Sequence, residues 1–460
     1  MPPLNEHVGR EARPVRTPNA LPAVFFLLLA LTATARPQTV DCQAPEADKL
    51  SGAYRTAEGA VISILPVGVE GRRRITHFSS GRSHLLFPDG ALEFHSAGDF
   101  DSPQPIVYRY AFRLGSGGVA DSLVITGLAS SPVIARRIPL VDRPASFKSG
   151  DVELRGRLTL PPKADRSSRA VIFVHGSDPT PSVGYEWLPH LLAANGIATL
   201  VFDKRGTGCS KGQYVQHFEV LAGDVVAAVR WLTTQSEIDA GQIGLAGFSQ
   251  GGWVAPLAAL KSPAVKFVAI GYGLAMSVAD EDRLEAPLKL REQGVDEASI
   301  EEFKALNASL HELARSGFRD WSSFEEHLER VKNRPWFEVA SRQQNWLGAT
   351  LQMGLTKAKD VAPQMFQHFF QPFYDPVPTL EKLNIPMLWL MGGKDIEAPP
   401  EPTLKVLTRL RSQGKAVSVV VFPNADHGIQ DFEVRDSKRV KTKYADRYFS
   451  TLLSWISNPS

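Results

Sequence analysis

The sequence predicts an α/β protein: a mostly parallel sheet with helices on both faces, interrupted by a helical insertion and preceded by a small antiparallel β domain. Three observations predict it. From about residue 150, short apolar runs alternate with helix-period segments, as for strands buried on both faces and the helices that cover them. Between Gly273 and about Leu383 that alternation gives way to helical stripes rich in aromatics. From about Ser51 to Leu140, apolar residues instead recur at every second position between Gly, Pro and Asp, the mark of half-buried strands. The expected divisions are 1–35, 36–145 for the β domain and 146–460 for the α/β domain, with the insertion at about 275–383.

Residues 1–35 read as an export signal. Leu21 to Leu31 is apolar, follows Arg10, Arg13 and Arg16, and precedes Ala33-Thr34-Ala35, a small-x-small cleavage pattern. A membrane span needs about 20 apolar residues, whereas this run is shorter and contains Pro22. The expectation is therefore a periplasmic or secreted protein with no stable membrane insertion once the signal is cut. Thr39-Val40-Asp41 lacks the small apolar residues that precede a lipidated cysteine, so Cys42 is not read as an anchor. The chain has 2 cysteines, too few for a four-thiolate zinc site. Export leaves a Cys42 to Cys209 bridge open, with two unpaired thiols as the simpler expectation. Lys+Arg 51 against Asp+Glu 49 supplies no basic field for a nucleic-acid backbone, and no such partner is expected.

In the β domain, Tyr108, Tyr110, Phe112 and Leu114 share one face of an Ile106 to Leu114 strand, with Arg109 and Arg113 on the other. Pro88-Asp89-Gly90 reads as a hairpin turn. Val61 to Leu65, Leu123 to Ile125 and Val133 to Ile138 complete an antiparallel unit of about ninety residues. Arg72-Arg73-Arg74 is read as a solvated loop rather than an anion contact. No catalytic cluster falls here, and the unit is a binding or lid-like accessory or a structural one.

The α/β domain opens with Val152 to Leu160, then the buried runs Ala170 to Val174, Ala198 to Phe202, Ile243 to Ala246 and Val265 to Ile270. A helix with Leu221, Val225, Ala228, Val229 and Leu232 on one face follows the second run. In a parallel sheet, reactive groups collect at the carboxyl ends of the strands. Gly247-Phe248-Ser249-Gln250-Gly251-Gly252 sits at such an end, before the apolar stretch Trp253 to Leu260. A turn this sharp strains the serine and tolerates only small flanking residues, which Gly247 and Gly251 provide.

Serine is a weak nucleophile without a base. Of 11 histidines, only His427 follows a later buried run, Val417 to Phe422; His368 falls in the insertion and His217 before the nucleophile. The base needs a carboxylate to hold its tautomer and stabilise its cation. Asp395, after Pro386 to Leu390, fills that role, with Glu397 and Asp426 as rivals; adjacent side chains on an extended loop point apart, which counts against Asp426. The oxyanion donors are assigned to the backbone N–H groups of Ser177 and Gln250, and His175 is read as shaping its loop. No metal or organic cofactor is needed.

Together FVHGSD (173–178), FDKRGTGCSKG (202–212), GFSQGG (247–252), GGKD (392–395) and ADHG (425–428) resemble the α/β-hydrolase superfamily over roughly residues 148 to 460. They look most like bacterial serine carboxylesterases near the dienelactone-hydrolase and prolyl-oligopeptidase-like branches. That resemblance implies the chain order Ser249, Asp395, His427 for acyl transfer, a structural role for Asp203-Lys204-Arg205-Gly206, and oxyanion donors at Ser177 and Gln250. One departure is Asp178, where related sequences often have Gly.

In the insertion, Ser299 to Glu302 reads as a capping box ahead of the stripe Ile300, Phe303, Leu306, Leu310 and Leu313. The aromatics Trp321, Trp336, Trp346, Phe366, Phe369, Phe370, Phe373 and Tyr374 resemble those of a hydrolase cap, with packing among the cap's own helices expected for most. The expected activity is an exported serine hydrolase cleaving carboxylic esters of small-molecule substrates through an acyl-enzyme. The alternatives are a prolyl-oligopeptidase-like peptidase, an acyl thioesterase, and a non-catalytic binding protein on the same scaffold. About ninety residues cannot supply the N-terminal propeller of the peptidase branch.

Overall fold

The structure is a computed structural model that describes residues 48–67, 72–184, 186–435 and 438–460. The expected export signal and Cys42 lie outside the described residues. Eight antiparallel strands, β1 (Gly52–Thr56), β2 (Val61–Pro66), β3 (Arg73–His77), β4 (Arg82–Pro88), β5 (Glu93–Ser96), β6 (Tyr108–Leu114), β7 (Ala120–Thr126) and β8 (Val133–Arg137), pair in chain order. β8 returns to pair with β1, closing a barrel around Tyr54, Ile62, Ile64, Ile75, Leu86 and Phe94. Arg137 seals the seam: its guanidinium lies 4.9 Å from the Tyr54 ring centroid and donates to the Ser51 carbonyl at 2.6 Å.

Two expectations change here. The strand expected from Ile106 starts at Tyr108, and Ile106 and Val107 are exposed. Arg73 and Arg74 open β3 instead of forming a solvated loop. The guanidinium groups of Arg72, Arg73 and Arg74 lie over Phe87, Phe94 and Phe100, and Arg73 and Arg74 pair with Asp48 and Asp101.

The second sheet holds β9 (Val141–Ser149), β10 (Val152–Leu160), β11 (Ser168–Val174), β12 (Ala198–Phe202), β13 (Ile238–Phe248), β14 (Val265–Gly271), β15 (Met387–Gly392) and β16 (Val417–Phe422). Its order is β16-β15-β14-β13-β11-β12-β10-β9. β10 runs antiparallel to β9 and β12, and the remaining pairs are parallel. β9 straddles the division expected at 145.

Helices α1 (Leu188–Ala194), α2 (Phe218–Leu232) and α3 (Gly251–Lys261) precede the insertion. The insertion comprises α4 (Val278–Glu292), α5 (Glu297–Arg315), α6 (Ser322–Val331), α7 (Pro335–Ser341), α8 (Trp346–Met353) and α9 (Leu355–His368). After it come α10 (Val377–Lys382), α11 (Pro400–Ser412) and α12 (Tyr448–Ser457). Alternate side chains of one strand enter opposite cores. Ile172 and Val174 pack with α2 and α3, while Val171 and Phe173 pack with α1 and α12. This is the α/β-hydrolase fold with a preceding eight-stranded antiparallel barrel.

The barrel docks through aromatics. Phe78 meets Trp187 and Phe449 with ring centroids 5.6 and 5.1 Å away, and Ser63 Oγ lies 2.7 Å from His190 Nδ1 on α1. A further small antiparallel sheet, β17 (Ala425–Asp426), β18 (Gln430–Arg435) and β19 (Lys438–Tyr444), carries the His427 loop.

In the insertion, α5 begins one turn before the expected capping box. Asp296 is its N-cap, accepting from Ser299 N at 3.0 Å. Glu302 instead accepts from Trp336 Nε1 at 2.9 Å. Trp321, Trp336, Trp346 and Phe370 are buried in the insertion's own core. Asp282 fastens that core: it accepts from Asn307 Nδ2 at 2.9 Å and Trp346 N at 3.0 Å, and lies 2.8 Å from His311 Nε2. Cys209 is disulfide-bonded, which overturns the expectation of an unpaired thiol there.

Candidate active site

The GFSQGG segment turns sharply from β13 into α3. Ser249 has φ 51, a left-handed conformation that costs energy for a side-chain-bearing residue. Its N–H donates to the Gly271 carbonyl at 3.0 Å. A Cβ at Gly247 would sit 2.4 Å from the Gly251 carbonyl oxygen, and one at Gly251 would sit 2.3 Å from that of Val174. Only glycine permits these approaches. The hydroxyl stands at the carboxyl end of the sheet, above the start of α3.

Asp395 and His427 come together from the ends of β15 and β16. His427 Nδ1 lies 2.9 Å from Asp395 Oδ2. The other carboxylate oxygen accepts from Glu397 N at 2.9 Å and Ala398 N at 2.8 Å, so Asp395 is fully occupied and buried. This leaves Nε2 as the nitrogen available to a nucleophile. The Tyr272 ring packs edge-on against His427 at 4.8 Å, and Tyr272 follows the Gly271 that binds Ser249.

The rival carboxylates have other partners. Asp426 pairs with Arg439 Nη1 at 2.9 Å. Arg439 also donates to the Lys394 carbonyl at 2.6 Å and to Glu292 of α4 at 2.6 Å, tying together the acid loop, the histidine loop and the insertion. Glu397 acts on His427 through charge. Burial pulls His427 down, but the Asp395 and Glu397 carboxylates outweigh it and push the imidazole up to about 10. On α4, burial and mutual repulsion push Glu281 well above the carboxylate range, and burial raises Glu285, which pairs with Lys289.

The HGSD loop faces the serine: a Cβ at Gly176 would lie 3.9 Å from Ser249 Oγ. Of the expected oxyanion donors, Ser177 lies three residues past the end of β11 and Gln250 is the N-cap of α3. His175 packs edge-on against Phe202 with its pKa lowered to about 3 by burial, so its ring is neutral. Among the described residues, no group of three or more His, Cys, Asp or Glu is placed to hold a metal ion.

Beside this loop lies a residue for which the resemblance implies only a structural role. Lys204, 2% exposed, donates from Nζ to the Gly176 carbonyl at 2.6 Å. Burial pulls its pKa down to about 7, against the opposing charge of Asp178. The available signal was its place just past β12, the strand beside β11. Asp203 holds the same loop, accepting from Ser182 N, Val183 N and Cys209 N at 2.8, 2.9 and 3.1 Å.

The family described as Serine aminopeptidase, S33 matches residues 165–434, more than half of the chain. The chain belongs to this serine hydrolase family. It is 33% identical over 119 residues to the thiohydrolase aneE of Aspergillus aculeatus, a match covering 25% of this chain and 36% of that protein. The match thus spans about a third of that curated relative. Among solved structures, it is similar to the acylaminoacyl peptidase of Pyrococcus horikoshii, at 16% identity and a TM-score of 0.43, over 86% of this chain and 56% of that one. For dipeptidyl peptidase 4 of Porphyromonas gingivalis the values are 12%, 0.43, 89% and 49%; for a Pyrococcus furiosus esterase they are 15%, 0.42, 69% and 88%. The chain therefore spans about half the length of the two peptidases.

Proposed function

We propose that this S33 member cleaves carboxylic esters of small molecules through an acyl-enzyme. Ser249 attacks the carbonyl, His427 takes its proton and later activates water, and Asp395 holds the Nδ1–H tautomer. The Ser177 and Gln250 N–H groups receive the oxyanion. The observation that carries the reading is the pair of strand-end features: a strained Ser249 at the elbow, and His427 Nδ1 at 2.9 Å from a buried Asp395. Thioesters are open to the same chemistry, and the aneE relative is described as a thiohydrolase. The site in this reading calls for no cofactor. Export to the periplasm or medium is part of the proposal, supported by the Leu21 to Leu31 pattern and by the disulfide at Cys209. Among the described residues, no helix is long and apolar enough to cross a membrane.

A second reading, an aminopeptidase, is favoured by the Glu397 carboxylate, which neighbouring cations, against burial, hold below the usual range beside His427 and which suits a substrate ammonium group, and by the family's description. Hydrolysis of p-nitrophenyl esters from acetate to long chains, beside aminoacyl p-nitroanilides with free and acetylated amines, separates the two. Ester turnover abolished by Ser249→Ala in a folded protein is the expected result. Turnover that survives Ser249→Ala removes the mechanism, and preference for free-amine anilides installs the peptidase.

A further inference from the structure

The peptide between Gly176 and Ser177 supplies the expected Ser177 N–H donor, and its carbonyl is the Gly176 oxygen. In a trans peptide the C=O and N–H point in opposite directions within one plane. A group that holds the Gly176 carbonyl therefore aims the Ser177 N–H. Lys204 Nζ holds it at 2.6 Å from the far side of the loop. The ammonium also lies 5.1 Å from the Tyr214 ring centroid, and the Tyr214 hydroxyl donates to the Ser177 carbonyl. From there a buried chain runs on: Gln216 Nε2 donates to the Tyr214 hydroxyl at 2.9 Å, and Gln250 Nε2 donates to Gln216 Oε1 at 2.9 Å. Both residues assigned as oxyanion donors are thus fixed by one hydrogen-bonded string.

We propose that Lys204 is a positioning residue for the oxyanion hole: its buried ammonium fixes the Gly176–Ser177 peptide plane and polarises the Ser177 N–H toward the developing oxyanion. The proposal rests on Ser249 being the nucleophile. A cation bonded to an amide carbonyl draws electron density from the amide nitrogen, and its hydrogen bond strengthens the one made by the N–H on the other side. In the protonated form of Lys204, whose pKa burial lowers to about 7, the charge gains force because screening is weak there. Burying a lysine is costly, and an apolar side chain would fill the volume without that cost. Asp178, the departure from the related sequences, offsets part of it by placing a carboxylate in the field of Lys204. Asp178 of the HGSD segment and Lys204 of the DKRG segment thus belong to one arrangement.

The test compares wild type, Lys204→Met, Lys204→Gln and Ser249→Ala on a p-nitrophenyl ester, with a trifluoromethyl ketone as inhibitor. The serine adduct of that ketone carries an oxyanion in the same hole. Removing one oxyanion donor costs about 100–1000-fold in kcat, and misaiming one rather than deleting it predicts a loss of about 10–100-fold in Lys204→Met. KM should stay within about threefold, and ketone affinity should fall by the same factor as kcat. Lys204→Gln, which keeps a donor and drops the charge, should fall between wild type and Lys204→Met. A folded Lys204→Met with wild-type kcat and ketone affinity overturns the proposal, as does a loss confined to KM. If Lys204→Met does not fold, wild-type kcat in Lys204→Gln overturns the role of the charge. Activity that survives Ser249→Ala, or its absence in wild type together with failure of a fluorophosphonate to label Ser249, overturns the underlying reading and the proposal with it.

Discussion

Replacing Glu397 by glutamine removes one of the two carboxylates that raise His427 and leaves the Asp395 contacts intact, because residue 397 binds Asp395 through its backbone N–H. A unit charge about 6 Å away at an effective dielectric of about 20 is worth about 3 kcal/mol, or about two pKa units. Lys289, Lys441 and Arg439 also act on Glu397 and oppose part of its field. The expected shift is therefore about one to two units downward. The sign follows from the imidazolium: losing a neighbouring negative charge destabilises the cation, so the neutral base persists to lower pH. The assay is kcat/KM for a short p-nitrophenyl ester from about pH 5 to about pH 10. Wild type should still be rising at about pH 10, and Glu397→Gln should carry that limb toward acid, so that the variant overtakes wild type at about pH 8. An unmoved limb would show that Glu397 does not set the charge state of His427, and a rate lost at every pH would make Glu397 part of the triad itself.

Two further outcomes follow from contacts in the fold. Asp395→Asn should lower kcat by about 10⁴-fold, because the amide cannot hold the required histidine tautomer; a near-normal rate would hand the acid role to Glu397. Phe78→Ala should destabilise the protein by about 3–5 kcal/mol, since the ring is buried between Trp187 and Phe449. Denaturant unfolding measures this, and a loss under about 1 kcal/mol would mean that the barrel is held by other contacts.

The strands of the parallel sheet were legible because burial on both faces leaves continuous apolar runs, and the elbow because its glycines are sterically required. Asp395 and His427 could be placed because strand ends in this sheet gather at one edge. Barrel closure was not legible: β1 and β8 meet across about eighty residues, and their pairing leaves no local pattern beyond the alternation any half-buried strand shows. Alternation alone overextends the strand to Ile106, because it does not distinguish Ile106 and Val107, exposed in the loop, from a strand face. The resemblance implies only a structural role for Lys204, because the Gly176 carbonyl and Asp178 that give it partners follow another strand and leave no local signal beside it. The spacing from Ser299 to Glu302 places the cap of α5 one turn late because Asp296, three residues ahead, is an equally good N-cap acceptor and takes the Ser299 N–H instead.

Closure of the barrel also constrains what this accessory can touch. A sheet with a free edge offers a row of unpaired N–H and C=O groups on which an extended peptide can lay itself as an additional strand. Here the first and last strands use those groups on each other, with Arg137 clamped across the join. Among the described residues, β1 and β8 therefore offer no free edge for strand addition at the join. Any macromolecule that meets the barrel must be recognised by side chains and connecting loops, a mode in which affinity follows the residues displayed rather than the backbone beneath them.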